Sequence, residues 1–270
     1  MADGVARKAF SLTYLPAFTP IAIACFVMLY APIFILVAFS FNAGENLAQW
    51  KGFSWRWYEK AWQNELVQEA SVRSLIIATC ASAIATTAAT MAALVTTRNR
   101  AFKGQTAVFA LINQPLIVPE IVTAVALLIV FAAIKVWTGY TGLGYLVAAH
   151  SAFCIPFAYL PIRARLEGMD LTFEAAASDL YANRWQSFRY VTLPLLSPGM
   201  LAGAMLAFVV SLDDVVITEF VKSSGQETLS TYMLGQLRRV VTPEINAIST
   251  VFLAVSVAIV TLFYVLNRRK

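Results

Sequence analysis

Four acidic residues interrupt apolar stretches of the chain that otherwise carry little charge. Glu120 follows two prolines in one stretch, and Asp213, Asp214 and Glu219 lie in another, with the Thr218 hydroxyl among them. Charged side chains are costly inside a membrane, so they usually face a cavity or a partner and mark ion or substrate pathways. We therefore take Glu120, Asp213, Asp214, Thr218 and Glu219 as candidate residues of a pathway for a cationic solute.

The spacing of the second group predicts how its side chains are arranged. On a continuous helix Ser211, Asp214 and Thr218 would share one face, while Asp213 would point roughly 100° away. A purely structural role stays open for the two aspartates, as a helix cap or as an ion-pair partner of a basic residue such as Lys222. Glu219 lies near one end of its stretch and has an interfacial position as its alternative.

The remaining reactive residue types do not form a catalytic or metal-binding set. The sequence has one histidine, His150, and three cysteines, Cys25, Cys80 and Cys154, which lie in apolar runs without metal-ligand spacing. We interpret the cysteines as small, inert core residues and His150 as a packing or helix-contact residue. The pattern therefore predicts no catalytic residue, no metal ligand and no enzyme activity.

The composition requires a membrane around these residues. Of 270 residues, 59% are hydrophobic and only 13% are charged, and the mean hydropathy is +0.69. Soluble domains have about 45–50% apolar and about 25% charged residues. A soluble core cannot bury this excess, so the sequence predicts an all-α integral membrane protein.

Six stretches are long and apolar enough to cross a bilayer as helices. They are predicted at 20–41, 73–97, 107–136, 143–162, 198–221 and 247–266, with a kink at Pro115 and Pro119 in the third. This divides the chain into a tail (1–19), a first helix (20–41), an aromatic-rich outer connection (42–70), a core (71–266) containing a loop at 163–197, and a final tail (267–270).

The basic residues predict the orientation, because lysine and arginine next to spans favour the cytoplasmic side. With a cytoplasmic N-terminus, 12 of the 20 basic residues lie in short inside segments: Arg7, Lys8, Arg98, Arg100, Lys103, Arg163, Arg165, Arg184, Arg189, Arg268, Arg269 and Lys270. Both termini and the loop at 163–197 are therefore expected in the cytoplasm.

Two local patterns predict contacts. Alanines at 81, 85, 89 and 93 place a small residue on one helix face every four positions, which permits close helix packing in lipid. The outer connection contains Trp50, Trp55, Trp57, Tyr58 and Trp62. These aromatics fit an interfacial belt or a docking surface for an external partner.

The loop at 163–197 contains two short helical patches. The first covers 172–180, with Thr172 as a candidate N-cap and an alanine-rich body. The second covers about 183–191, and Pro194 and Pro198 are expected to stop it before the next span. Two short helices in such a loop could form a knob that fits a groove in a soluble partner.

This loop resembles the EAA loop of binding-protein-dependent ABC importer permeases. It contains Glu174, Ala175 and Ala176, and it ends on the hydrophobic-x-Leu-Pro sequence VTLP (191–194). Other segments resemble the spermidine/putrescine branch of that family, and together they cover nearly the whole chain: YAP (30–32), SFN (40–42), RWY (56–58), PEIV (119–122), SLDDVVIT (211–218) and PEINA (243–247).

The loop departs from the family pattern in two places. When the motif is aligned on Leu193 and Pro194, its usual glycine falls on Tyr181 and its usual glutamate on Ala175, with Glu174 one residue earlier. Glycine permits a left-handed turn between the short helices, so Tyr181 needs another turn or bears strain. By resemblance, the residues that couple to the ATPase are Glu174, Ala175, Ala176, Asp179, Leu180, Tyr181, Leu193 and Pro194.

The resemblance implies a type I ABC importer permease in the bacterial inner membrane, which carries putrescine or spermidine. Implied partners are a second homologous permease in a heterodimer, two cytoplasmic ATPase subunits and a periplasmic polyamine-binding protein, with no nucleic acid. The chain has no Gly-x-x-x-x-Gly-Lys-Ser/Thr motif, so ATP and Mg²⁺ would bind to the separate ATPase and this chain would bind no cofactor.

Two other functions remain open from the residues alone. One is an ABC permease for another cationic solute. The other is a proton-coupled secondary transporter that uses Glu120 and Asp214, although the sequence shows no evident internal repeat of the kind many such transporters have.

Overall fold

The computed structural model describes residues 18–45, 49–98, 103–239 and 242–268, and these are almost entirely helical. The helices are α1 (Phe18–Phe39), α2 (Arg56–Gln63), α3 (Glu65–Arg98), α4 (Gln105–Ile117), α5 (Glu120–Thr138), α6 (Gly144–Glu167), α7 (Thr172–Asp179), α8 (Arg184–Ser187), α9 (Leu193–Asp213), α10 (Val216–Val221), α11 (Leu229–Arg239) and α12 (Pro243–Arg268), with a π-helical turn (Phe188–Thr192) between α8 and α9. Six helical segments have the length and hydropathy to span a membrane. The predicted number of spans and the all-α class are confirmed.

Five of the twelve basic residues that predict the orientation lie outside the described ranges. Arg7, Lys8, Arg100, Arg269 and Lys270 lie there, as does most of the tail at 1–19. The cytoplasmic location of both termini therefore stays a prediction.

The chain forms two compact units, and the first contains the described residues up to Ala61 together with Thr242–Val251. Asn42 organises the connection after α1, because its side chain accepts from the N–H groups of Gly44 and Lys51 and donates to the carbonyl of Gln49. Trp57 is buried and donates its indole N–H to the Asn42 carbonyl at 2.7 Å. Of the predicted aromatic belt, Trp57 is thus a core residue, whereas Trp50 and Trp55 are exposed.

The second unit contains residues 62–241 and the part of α12 from Phe252 onward. Its centre is formed by α3, α6 and α9, which pack closely on one another. The alanine face of α3 is confirmed as a packing surface, since Ala81, Ala85, Ala89 and Ala93 are all fully buried. Helices α6 and α9 approach closely at Gly203, where an added Cβ would lie 2.7 Å from a carbonyl oxygen of α6.

Two spans predicted as single stretches are broken. The third divides at 118–119, so the expected kink is a complete break between α4 and α5. The residue before a proline favours extended backbone, and Val118 has ψ 138° before Pro119. The fifth, predicted at 198–221, ends at Asp213 and resumes at Val216.

The prediction that Pro194 and Pro198 stop the helix is wrong. The helix runs without interruption from Arg184 to Asp213. Pro194 lies in the first turn of α9, directly after the π-helical turn, where its missing N–H is tolerated. Proline in a helix is often accommodated by such a local change of hydrogen bonding.

The cysteines were all predicted to be core residues, and this is correct only for Cys154. Cys25 and Cys80 are exposed on their helices. Both helices are apolar on several sides, so hydrophobicity alone does not indicate which face is buried.

Candidate functional site

Three of the four acidic residues lie at the two helix breaks of the second unit. Glu120 is the first residue of α5, directly after Pro119, and Asp213 is the last residue of α9. Asp214 follows in extended conformation, with φ −61° and ψ 133°. Helices α5 and α10 pack against each other, and the Glu120 carboxyl interacts with that of Asp214.

Asp214 is held by hydrogen bonds from the start of α10. One carboxylate oxygen accepts from the Thr218 N–H at 2.9 Å and from the Thr218 hydroxyl at 2.8 Å. The other accepts from the Ile217 N–H at 3.3 Å. The Asp214 side chain is only 1% exposed, so it takes the helix-capping role that the sequence had left open.

His150 connects α6 to both sides of this break. Its Nδ1 lies 2.8 Å from the Ser211 hydroxyl, and its Nε2 lies 3.0 Å from the Thr218 hydroxyl and 3.4 Å from an Asp214 oxygen. Ser211, Asp214 and Thr218 therefore meet as the sequence spacing suggested, although a helix break and a histidine bring them together. The prediction of His150 as a helix-contact residue is confirmed.

Asp213 differs from its neighbour, because its side chain is exposed and has no hydrogen-bond or ion-pair partner within the described residues. Glu120 is half-buried. Asp213 and Glu120 are thus the carboxylates at these two breaks that are not buried.

Glu219 is separate from this group. It is exposed and pairs with Lys222 at 2.8 Å, and Lys222 also lies 3.7 Å from Glu227. The alternative in which Lys222 pairs with Asp213 or Asp214 is therefore wrong.

An apolar cavity of about 440 Å³ adjoins the α4–α5 break. Its walls come from α4, α5 and α6 and include Leu111, Pro115, Thr123, Leu127 and Phe153. No local sequence pattern indicates this cavity, because its walls come from three separate helices.

The loop between α6 and α9 contains two short helices, as predicted, but the first is capped differently. The carboxylate of Asp170, not Thr172, supplies the cap, by accepting from the Thr172 N–H at 2.9 Å. This hydrogen bond lowers the pKa of Asp170 below its usual value. At α8, Asn183 and Gln186 form a reciprocal capping box.

Tyr181 occupies the left-handed turn for which glycine is preferred, with φ 59°. The Tyr181 N–H donates to the Ser178 carbonyl and the Ala182 N–H to the Ala177 carbonyl, both at 3.0 Å. This pair of bonds is the Schellman motif. The turn of the family pattern is therefore kept, and Tyr181 bears the strain.

The other residues predicted to couple to an ATPase lie on both sides of this turn. Glu174 is half-buried, lies 3.2 Å from a guanidinium nitrogen of Arg98, and accepts a hydrogen bond from the Thr192 hydroxyl at 3.0 Å. Leu193 is half-buried, and the remaining members are exposed: Ala175, Ala176, Asp179, Leu180 and Pro194.

These features define a class of protein. Broken spans that carry carboxylates, together with a structured helical loop between two spans, are typical of multi-pass membrane transport proteins. A family model described as "Binding-protein-dependent transport system inner membrane component" matches residues 85–269. The chain belongs to this family, as the sequence motifs predicted.

Curated relatives match along most of their length. The spermidine/putrescine transport system permease protein PotC of Haemophilus influenzae is 36% identical, over 91% of this chain and 94% of its own. The putrescine transport system permease protein PotI of Escherichia coli is also 36% identical, over 91% of this chain and 89% of its own. The Escherichia coli PotC protein is 32% identical, over 92% of each chain.

Solved structures support the same fold. A chain of a bacterial ABC transporter that imports the polysaccharide alginate superposes with a TM-score of 0.68 at 18% identity, covering 93% of both chains. A chain of the alginate transporter in complex with an alginate-bound periplasmic protein gives a TM-score of 0.70 at 17% identity, covering 93% of this chain and 92% of that chain. The ABC importer permease fold is thereby established.

Proposed function

We propose that this chain is the permease subunit of an ATP-driven importer of polyamines, such as putrescine or spermidine. The observation that carries the proposal is the pair of helix breaks with accessible carboxylates, Glu120 and Asp213, in a chain whose relatives are named as polyamine permeases. A polyamine is a flexible chain of ammonium groups joined by methylenes. It needs carboxylates along its route and apolar walls between them.

Carboxylates and apolar walls lie close together in the second unit. Glu120 and Asp213 would bind ammonium groups, while the apolar cavity beside the α4–α5 break would accommodate methylenes. Hydrogen bonds between Asp214 and Thr218 stabilise the break between α9 and α10. Glu219 lies at the edge of the proposed route. The carbonyl groups at the end of α9 add partial negative charge near Asp213.

The proposed assembly contains a second, different permease, two cytoplasmic ATPase subunits and a periplasmic polyamine-binding protein, in the bacterial inner membrane. Both termini face the cytoplasm, and so does the loop that contains α7. The exposed Leu171, Phe173, Leu180 and Tyr181 provide an apolar surface for an ATPase cleft. ATP and Mg²⁺ bind to the ATPase, and this chain holds no cofactor.

The test is co-purification of the tagged chain in mild detergent, identification of the associated proteins, and reconstitution of the complex in liposomes. We expect an ATPase, a second permease, and uptake of labelled putrescine or spermidine that requires ATP. Asp213→Asn and Glu120→Gln should each reduce uptake roughly 10- to 150-fold, since one charge-assisted contact contributes roughly 1.5–3 kcal/mol. Glu59→Gln, on the short helix α2, is the matched control and should leave uptake unchanged.

Three results would contradict the proposal. Uptake driven by a proton gradient in a chain that purifies alone would favour the secondary transporter. ATP-dependent uptake of a different cation, without polyamine uptake, would keep the importer and change the substrate. Full uptake by both the Asp213 and the Glu120 variants would remove these residues from the route.

A further inference from the structure

One side chain of α7 makes polar contacts with other elements of the second unit. None of its eight residues is buried, so apolar packing contributes little to its position. Glu174 is its half-buried acidic residue, and it contacts two other elements of the unit. The position of α7 therefore depends on polar contacts made by Glu174.

The first contact joins α7 to the end of α3. Arg98 is the last residue of α3, and its side chain is 20% exposed, against 27% for Glu174. Arg98 Nη2 lies 3.2 Å from a Glu174 carboxylate oxygen. The Nε and Nη2 atoms are buried and make no hydrogen bond within the described residues, so Glu174 is the counter-charge that compensates this guanidinium.

The second contact joins α7 to the helix that leads into α9. The hydroxyl of Thr192, in the π-helical turn, donates to the same Glu174 oxygen. Thr192 is buried, and Glu174, Arg98 and Thr192 line one cavity of about 280 Å³ beneath the loop. One carboxylate thus connects α7 to two of the three central helices.

This ion pair differs from the pair of Arg163 and Glu167, which lie four residues apart on α6 with exposed fractions of 33% and 54%. A pair within one exposed helix face fixes no element relative to another. The pair of Arg98 and Glu174 joins residues far apart in the sequence and is better shielded from water. Removing one partner of a shielded pair leaves the other charge uncompensated.

We propose that Arg98 is a positioning residue for energy coupling: it holds Glu174, so that α7 and the core helix α3 move as one body. This inference rests on the proposed function, in which the ATPase acts on α7. Without Arg98 the ATPase still binds the exposed face of α7, but part of its motion is lost between α7 and α3.

The test uses the reconstituted complex with Arg98→Gln, and Arg98→Lys as the conservative variant. The measured quantity is the number of ATP molecules hydrolysed per polyamine transported. We expect Arg98→Gln to raise this ratio roughly fivefold, within the range for coupled neighbouring residues, while the ATPase still co-purifies. Arg98→Lys, which keeps the charge, should stay within about twofold of the unmodified complex.

Two controls separate coupling from a general loss of structure. Glu167→Gln removes the local ion pair of α6, keeps Arg163 over the ring of Phe109, and should leave the ratio unchanged. Combining Arg98→Gln with Glu174→Gln should be no worse than the more severe single change, because both remove the same interaction.

Three outcomes would overturn the inference. These are an unchanged ratio in Arg98→Gln, an equal fall of hydrolysis and transport caused by less assembled complex, and additive effects of the two changes. Failure of the proposed function is distinct, because the unmodified complex would then contain no ATPase or show no ATP-dependent uptake.

Discussion

Replacing Tyr181 by glycine tests whether the turn after α7 is strained. Tyr181 has φ 59°, and it is the only residue other than glycine with positive φ among the described residues. Its side chain is 97% exposed, so the substitution removes almost no packing. The change therefore isolates the cost of the left-handed backbone.

The expected gain follows from two opposing contributions. A side chain in the left-handed region costs about 1–2 kcal/mol relative to glycine. Glycine loses about 0.5–1 kcal/mol more than other residues when its backbone is ordered. The balance of about 1 kcal/mol favours the closed turn and corresponds to roughly fivefold in its equilibrium.

Hydrogen–deuterium exchange of the segment around Tyr181 and Ala182 measures this equilibrium, since their N–H groups form the two bonds of the turn. Exchange in Tyr181→Gly should be about fivefold slower. Tyr181→Ala keeps a Cβ, so its exchange should change little. Equal slowing in both variants would refute the argument, because the aromatic ring and not the backbone would then be responsible.

The same variant tests the effect of Tyr181 on coupling. If the strained turn weakens the transfer of motion, Tyr181→Gly should lower the number of ATP molecules hydrolysed per polyamine transported. An unchanged ratio, together with slower exchange, would show that the strain is structural and has no effect on coupling.

Three further predictions concern other parts of the second unit. Gly203→Ala should lower stability by about 1–3 kcal/mol through overpacking. Gly235→Ala is the control: nothing lies within 4 Å of its added Cβ, so it should be neutral or stabilising by up to about 1 kcal/mol. Equal unfolding temperatures of the two variants in detergent would contradict this. His150→Leu should cost about 1–3 kcal/mol, because it leaves the buried Ser211 hydroxyl without its partner and removes one contact each from Thr218 and Asp214, and an unchanged unfolding temperature would contradict it. The hydrogen bond from Thr172 lowers the pKa of Asp170. It therefore stabilises α7 at pH values above the usual pKa near 3.8, and this stabilisation is lost as the pH falls through the lower pKa of the folded protein. A pKa of 3.8 or more, measured by NMR titration, would refute this.

The sequence was sufficient to predict the spans and the family. Long apolar stretches specify membrane helices because every backbone polar group must be satisfied inside the segment. The alanines at 81, 85, 89 and 93 indicated the packed face of α3, because only small residues let helices approach so closely. The loop at 163–197 was recognised from a short motif, in which Glu174, Ala175 and Ala176 precede Leu193 and Pro194 at a nearly fixed spacing.

The details of the candidate site required three-dimensional information. Asp213 and Asp214 are identical in type and adjacent, yet one is exposed and the other is buried in a cap. A continuous helix was the natural assumption for this span, and the break at Asp214 changes which of the two side chains is exposed. The contact of Arg98 with Glu174 joins distant segments, so local periodicity carries no signal for it.

Helix α9 connects the two candidate sites and gives a physical route between them. It starts directly after Thr192, whose hydroxyl binds Glu174, and ends at Asp213, next to the break held by His150. A helix of 21 residues is about 30 Å long, comparable to the hydrocarbon core of a bilayer. Because α9 is packed along α3 and α6, we expect a displacement at Glu174 to reach the Asp213 carboxylate by movement of α9 as a rigid body. On this basis, a change that loosens the Glu174 contacts should alter coupling without altering polyamine affinity, whereas a change at Asp213 should do the reverse.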